Sequence, residues 1–180
     1  MTSPAPRKYF AGAAVPERNG TMSFRIGHGY DVHRFDDSRT LILGGIHIPN
    51  HAGLLGHSDA DVLTHAVMDA LLGAAGLRDI GHYFPDSDEQ YAGADSMKLA
   101  SIVAGMLTDK GFRTVNVDCT VIAQSPKLSP YIADMKRSVA SALGVNSDAV
   151  NIKTTTEEGL GFTGAKLGIA AHAVALIESI

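Results

Sequence analysis

Asp31-Val32-His33 lies in a stretch rich in strand formers, and the segment from Gly56 onward answers it with His57, Ser58, Asp61 and His65. In an extended chain, side chains at i and i+2 share a face. Asp31 and His33 therefore present an oxygen and a nitrogen to one ion. One ligand from a nearby helix completes a three-point cage and leaves a coordination position free, as catalytic zinc sites do. His57, Asp61 and His65 follow at i, i+4 and i+8, a single stripe along a helix and its entry. His65 is the most economical third ligand. His57 and Ser58 fall at the expected helix start, where free N–H groups and the helix dipole favour an anion. Taken alone, His57 or Asp61 fits a solvated, capping position as well as a metal; beside Asp31 and His33 the metal reading is the better one.

Three further segments hold groups that can meet a ligand. Leu77 to Asp88 is dense in Gly, Pro and Asp, and by composition it is no more than a turn. Ala123-Gln124-Ser125-Pro126-Lys127-Leu128-Ser129 is a loop with one cation at the end of the strongest strand, a position where ligands are often held. Lys153 to Gly164 joins hydroxyls, glycine amides and the carboxylates Glu157 and Glu158. Hydroxyls and amides suit phosphate oxygens, and a carboxylate beside them suits a hard divalent cation. His28, His47, His51, His82 and His172 have no partner at ligand spacing and read as structural or surface residues.

The elements that must position these groups can be read from periodicity. Phe24 to Tyr30 reads as a strand running into Asp31. Thr40–Leu43 and Ile46–Ile48 flank Gly44-Gly45 as a hairpin that Pro49 closes. Ser58 or Asp59 can cap a helix that stops near Gly73 or Gly76, and Ala94 or Asp95 can open another that ends at Gly111. Arg113–Ala123 and Val150–Thr156 read as strands, and Ser129-Pro130 opens a helix that ends at Gly144. Gly168–Ile180 is alanine-rich and ambiguous; its alternation favours strand only weakly. The order suggests an α+β fold, a single domain whose mixed sheet is packed on one face by about three helices.

At 180 residues the chain is one ordinary domain with room for a sizeable core. A formal charge of −4 argues against a nucleic-acid binder, so any phosphate must be held locally. No stretch approaches the length of a membrane span. Cys119 is the single cysteine, which rules out an internal disulfide, points to a reducing compartment and reads as a buried, inert thiol. Residues 1–22 read as a disordered N-terminal extension, and 23–180 as the catalytic domain. Cytoplasmic residence is the expectation, with a plastid-type organelle as the alternative if the basic extension is a targeting remnant.

Four motifs in order carry a resemblance: Arg25-Ile26-Gly27-His28-Gly29-Tyr30-Asp31-Val32-His33, Gly56-His57-Ser58-Asp59-Ala60-Asp61, Asp79-Ile80-Gly81 with Phe84-Pro85-Asp86, and Thr155-Thr156-Glu157-Glu158-Gly159-Leu160-Gly161-Phe162. From about Phe24 to the C-terminus the chain resembles the 2-C-methyl-D-erythritol 2,4-cyclodiphosphate synthase family of non-mevalonate isoprenoid biosynthesis. The resemblance implies conversion of 4-diphosphocytidyl-2-C-methyl-D-erythritol 2-phosphate into the cyclic diphosphate and CMP. It implies Zn2+, or Mn2+ or Co2+, on Asp31, His33 and His65, and a Mg2+ or Mn2+ on Glu158 bridging the substrate diphosphate. His57 and Thr156 match transition-state stabilisers, and Ser58 a phosphate contact. Asp79 and Gly81, with Ile80 between them, match the ribose-binding segment, and Phe84, Pro85, Asp86, Ser87 and Asp88 a loop around the methylerythritol end. Ala123, Gln124, Ser125, Pro126, Lys127, Leu128 and Ser129 match the cytosine pocket, with Lys127 near the phosphates. Thr155 and Glu157 belong to the diphosphate segment, and Phe162 matches a substrate-side residue. Where the family commonly has arginine after Gly164 this chain has Ala165, followed by Lys166, a point charge without the bidentate fork. The resemblance also implies a homotrimer with sites between subunits.

Phosphoryl transfer asks a protein for positioning and charge stabilisation. Two rivals share the same residues. A zinc phosphohydrolase would use the cage to activate water, with Asp61 as the available base. A structural zinc site would need a fourth protein ligand, usually cysteine, and Cys119 is far from the cage in sequence.

Overall fold

The structure, a computed structural model, describes residues 22–180; the expected extension, Met22 apart, lies outside the described residues. A five-stranded mixed sheet runs in the order β2-β1-β5-β3-β4. Its strands are β1 (Phe24–Leu43), β2 (Ile46–Leu54), β3 (Phe112–Ile122), β4 (Val150–Thr155) and β5 (Gly168–Ser179). β3 and β4 are parallel and the other pairs antiparallel. Three long helices, α1 (Val62–Ala75), α3 (Ser96–Asp109) and α4 (Ile132–Leu143), cover one face. Two single-turn helices, α2 (Ile80–Tyr83) and α5 (Gly161–Gly164), complete the α-helices among the described residues, beside two short 3-10 turns at Glu89–Tyr91 and Ser147–Ala149. This is the expected α+β domain, with the two short helices added.

The ambiguous last segment is a strand, and it lies at the centre of the sheet between β1 and β3. Its small residues decide the matter. Ala171, Ala173 and Ala175 are fully buried and let α1 lie close above the sheet. The same closeness is written into β1. A Cβ on Gly27 would fall 1.9 Å from the Ala70 carbonyl oxygen, and one on Gly29 1.9 Å from that of Ala66. Only hydrogen fits there, so Gly27 and Gly29 meet the alanine stripe Ala66, Ala70 and Ala74 backbone to backbone. That contact fixes the height of α1 over the strand that carries Asp31 and His33.

Several expected boundaries shift. α1 is capped by Asp61 and not by Ser58 or Asp59. It ends on Gly76 in the left-handed conformation, as expected. β2 runs past Pro49 to Leu54, because Pro49 sits on an edge strand at a register irregularity where no ladder donor is missed. α4 opens at Ile132, after a turn that hydrogen-bonds Tyr131 to Leu128, so Ser129 is not its cap. β4 stops one residue short, at Thr155.

Because α1 covers the Gly27 and Gly29 side of β1, residues at even positions face the other way. Ile26, Tyr30 and Val32 on β1, and Val174 on β5, are exposed there. No helix among the described residues is long and apolar enough to cross a membrane.

Candidate metal centre and a second cavity

β1 and α1 bring Asp31, His33 and His65 together. Asp31 Oδ2 lies 2.9 Å from His33 Nε2 and 3.0 Å from His65 Nδ1, and the two nitrogens are 3.2 Å apart. Three donors at these mutual distances form one face of a tetrahedron with bonds of about 2 Å, the geometry of zinc on nitrogen and oxygen. Asp, His and His also make a chemically apt set for such an ion. Burial opposes a charge on Asp31. Hydrogen bonds and charge from His33 and His65 outweigh it and hold the carboxyl well below the usual range. Burial also works against protonation of His33, yet its bond to Asp31 raises its pKa.

The atoms not aimed at the cage are engaged elsewhere, which orients those that are. Val32 N–H donates to Asp31 Oδ1 at 2.8 Å. His33 Nδ1 faces the Leu55 carbonyl at 2.7 Å, so it carries the proton and Nε2 is left free for a metal. His65 Nε2 lies 3.0 Å from Ser96 Oγ and 3.1 Å from Ser58 Oγ. The Ser96 hydroxyl donates onward to Asp59 Oδ1, and the Ser96 N–H donates to Asp59 Oδ2 at 3.0 Å. With the Nε2 proton held by this relay, Nδ1 is left free for a metal.

The Gly56–Ser58 segment is placed by two features. Arg39 donates through its guanidinium to the carbonyls of Gly56 and Ser58. A Cβ on Gly56 would meet the Cβ of Ala60 at 2.9 Å and His33 Cε1 at 3.1 Å. His57 Nε2 faces the Asp88 carbonyl at 3.1 Å, tying it to the following loop.

Asp61 is not part of a solvated stripe. It is fully buried, and its carboxylate accepts from Gly44 N–H (2.9 Å), Gly45 N–H (2.7 Å), Thr64 N–H (3.0 Å) and Thr64 O–H (2.8 Å). Burial pushes its carboxyl pKa up against those backbone donors. Asp61 therefore holds the β1–β2 turn to the start of α1, and neither oxygen is free to act as a base. It also occupies the N-terminus of α1, so His57 and Ser58 do not stand at a helix end open to an anion.

A cavity of about 420 Å³ includes Asp31, His33 and His65 in its wall with Gly56, His57, Ser58, Ile80, Gly81, Phe84, Pro85 and Asp86. Met68, Tyr91 and Leu99 supply apolar lining. Asp79, Ser87 and Asp88 lie outside this lining; Asp79 caps α2 through the His82 N–H at 3.0 Å.

A second cavity of about 360 Å³ is lined by Ala123, Gln124, Pro126, Lys127, Leu128, Ser129, Thr154, Thr155, Thr156 and Glu158. The parallel pairing of β3 and β4 puts these two loops side by side, with Ile122 opposite Thr155 and Ala123 N–H bonded to the Thr155 carbonyl at 3.0 Å. Thr156 O–H donates to Glu158 Oε1 at 2.9 Å, and Glu158 adopts φ of 51°, a left-handed conformation uncommon for such a residue. Glu157 instead accepts from Thr163 O–H and braces the loop. Ser125 turns from the cavity toward His51 Nε2 at 3.2 Å, and Glu157, Phe162 and Lys166 line neither cavity. The two cavities share no residue.

Sequence reading missed Arg39, Asp59 and Ser96 in these roles. Ala94 or Asp95 carried the helix-start signal, and Ser96 is the first residue of that helix, but nothing in its spacing ties it to His65. A lone arginine in Asp36-Asp37-Ser38-Arg39 carries no signal for a clamp.

Residues 24–178 match the YgbB family. The 2-C-methyl-D-erythritol 2,4-cyclodiphosphate synthase of Clostridioides difficile (strain 630) is 58% identical over 153 residues, 85% of this chain and 95% of that protein. The bifunctional IspDF from Campylobacter jejuni superimposes with a TM-score of 0.86 at 40% identity, covering 89% of this chain. The present chain spans 43% of that bifunctional one. The IspF of Plasmodium falciparum, solved as a CDP complex, superimposes with a TM-score of 0.75 at 34% identity over 87% of this chain and 96% of its own.

Proposed function

The chain belongs to the YgbB family, and from that we infer that it is the enzyme converting 4-diphosphocytidyl-2-C-methyl-D-erythritol 2-phosphate into 2-C-methyl-D-erythritol 2,4-cyclodiphosphate and CMP. The observation that carries this reading is the Asp31, His33 and His65 triad opening into a cavity with His57 and Ser58. In the reaction a 2-phosphate oxygen bonds to the β-phosphorus, the bond from that phosphorus to the oxygen bridging to CMP breaks, and CMP leaves with the electron pair. The attacking phosphate is already ionised near neutral pH, so no side chain need act as base and no covalent enzyme intermediate forms.

Asp31, His33 and His65 are the residues that would hold Zn2+, with Mn2+ or Co2+ as substitutes. Glu158, a single hard carboxylate, would hold Mg2+ or Mn2+ only together with substrate phosphate oxygens. Bound there, such ions supply charge neutralisation and polarisation of the phosphoryl group. The protein supplies position. His57 and Ser58 face the phosphates, Asp79, Ile80 and Gly81 take the ribose, and Phe84, Pro85, Asp86, Ser87 and Asp88 form the loop around the methylerythritol portion. Ala123 to Ser129 receive the cytosine, with Lys127 toward the phosphates. Thr155, Thr156 and Glu158 take the diphosphate, braced by Glu157. Phe162 and Lys166 approach from the α5 turn. Closure around the folded substrate excludes water, whose attack is the competing outcome.

Two half-sites that share no residue support assembly as a homotrimer, in which the metal half of one copy meets the nucleotide half of the next. The exposed Ile26, Tyr30, Val32 and Val174 give copies an apolar face to cover. Light scattering on the eluting peak should give about three times the 18.9 kDa chain mass; a stable monomer contradicts the trimer. The catalytic unit is residues 23–180, and its place is the cytoplasm, in keeping with one buried, unpaired Cys119.

Incubation of the purified chain with the cytidine substrate, zinc and magnesium in 18O-labelled water tests the reaction. CMP and a cyclic diphosphate without 18O are expected by 31P NMR and mass spectrometry. Label in a linear phosphate product would instead establish a hydrolase, a reading already weakened by the fully engaged Asp61.

A further inference from the structure

The sheet face left bare by the helices carries a second histidine pair. His28 on β1 and His172 on β5 stand diagonally across the antiparallel ladder, His172 opposite Tyr30 and His28 opposite Val174. Their side chains share one face. His28 Nε2 lies 3.1 Å from His172 Nδ1. The His33 and His65 pair of the cage has the same Nε2 and Nδ1 combination at 3.2 Å. Two nitrogens bound to one tetrahedral ion at 2.0–2.1 Å stand about 3.3–3.4 Å apart. The bare-face pair is therefore within a few tenths of an ångström of chelating geometry.

We propose that His28 and His172 form a second metal site on the helix-free face, taking an imidazole-binding transition ion such as Zn2+, Ni2+ or Cu2+. Two imidazoles without a carboxylate select this class over Mg2+ or Ca2+, which require oxygen. Asp118, the diagonal neighbour of His172 on β3, does not count as a ligand. Its carboxylate is taken by Lys153 Nζ at 2.6 Å and Asn151 Nδ2 at 2.8 Å. The pair is also pre-arranged. Both residues are fixed in adjacent, continuously paired strands, and the Tyr30 ring packs on the His172 ring with centroids 4.7 Å apart, so little ordering remains for an ion to impose. Open coordination positions take water or, where copies associate through this face, the same pair of a neighbouring copy. The site rests on neither the cage nor the proposed reaction.

Zinc stoichiometry of the full chain by equilibrium dialysis, with Co2+ absorption spectra as a second readout, tests this. Wild type should take up one equivalent beyond the cage ion. H28Q and H172Q should each lose that second equivalent and its Co2+ bands while keeping the cage equivalent. D31N should do the reverse, losing the cage ion and keeping the second. Circular dichroism identifies any variant that fails to fold, and if H28Q or H172Q does, the D31N arm decides: an equivalent retained in D31N supports the site, and none retained overturns it. A single equivalent in wild type, lost in D31N and untouched by H28Q and H172Q, overturns it.

Discussion

The two cavities are built in opposite ways. Around the metal cage each ligand's second atom is engaged: His33 Nδ1 on the Leu55 carbonyl, His65 Nε2 on Ser96 and Ser58, Asp31 Oδ1 on the Val32 N–H. Those residues sit on a strand and a helix pressed backbone to backbone. The cavity of Ala123 to Ser129 and Thr154 to Glu158 lies on loops whose polar groups bond mainly to one another, as in Thr156 with Glu158 and Gly159 N–H with Gln124 Oε1 at 3.3 Å. One half is finished inside a single chain. The other presents groups for a substrate, and in the proposed trimer for a neighbouring copy, to organise. A metal that must be held at fixed distances needs the first kind of construction; a flexible diphosphate chain is served by the second.

The widest gap between the halves should open at Gly29. A methyl group there strikes the Ala66 carbonyl, which cannot turn aside within a helix, so α1 must lift from β1. Overpacking usually costs 1–3 kcal/mol, and against main chain G29A should lose at least about 3 kcal/mol in urea unfolding and its cage zinc with it. A stable G29A that keeps one zinc would break the claim that helix height sets the cage.

Asp61 comes next. Without its carboxylate the N–H groups of Gly44 and Thr64 are left buried and unpaired, the N–H of Gly45 loses its partner, and α1 loses its cap. D61A should be destabilised by about 2–4 kcal/mol. Refolded protein that still binds zinc and turns over would mark Asp61 as a brace. A variant of normal stability and no turnover would return it to the chemistry.

Ser96 tests the relay behind His65. S96A removes one of the two hydroxyls that can accept the Nε2 proton, leaving only Ser58, and leaves Asp59 without its hydroxyl donor. Loss of such outer partners weakens metal binding by about 10–100-fold, so competition with a chromophoric chelator should register a weaker cage while the second cavity's affinity for CDP stays unchanged. Equal loss in both would show that the two halves are mechanically one.

How far this contrast could be read in advance depends on sequence distance. Asp31 and His33 were legible because a strand has period two, and His65 because a helix sets its own face. The alanine-rich β5 was not, since small residues suit helix and strand alike until the proximity of α1 selects among them. Ser96, 31 residues beyond His65, and Arg39, 17 and 19 residues before the carbonyls it clamps, meet their targets only through tertiary packing. The glycines of Gly27-His28-Gly29 stood in a motif, but what they make room for lies on another element. On the loop side the motif residues were legible, yet the separation of that cavity from the cage was not, because it follows from strand order and no local pattern encodes strand order.

The mildest structural change is expected at Glu158, and it sharpens the comparison most. Its side chain is exposed and bonded only to its neighbour Thr156, so E158Q should leave stability within about 0.5 kcal/mol of wild type and cage zinc untouched. If the loop half exists to share a hard cation with the substrate, the amide still accepts a hydrogen bond but has lost the anionic donor that Mg2+ requires. Turnover should then fall and its dependence on added Mg2+ should flatten, with zinc content constant across the titration. A variant that needs the same Mg2+ concentration as wild type would place the second ion elsewhere and leave Glu158 as a loop brace like Glu157. Both outcomes are read at full zinc occupancy, so neither can be mistaken for damage to the cage.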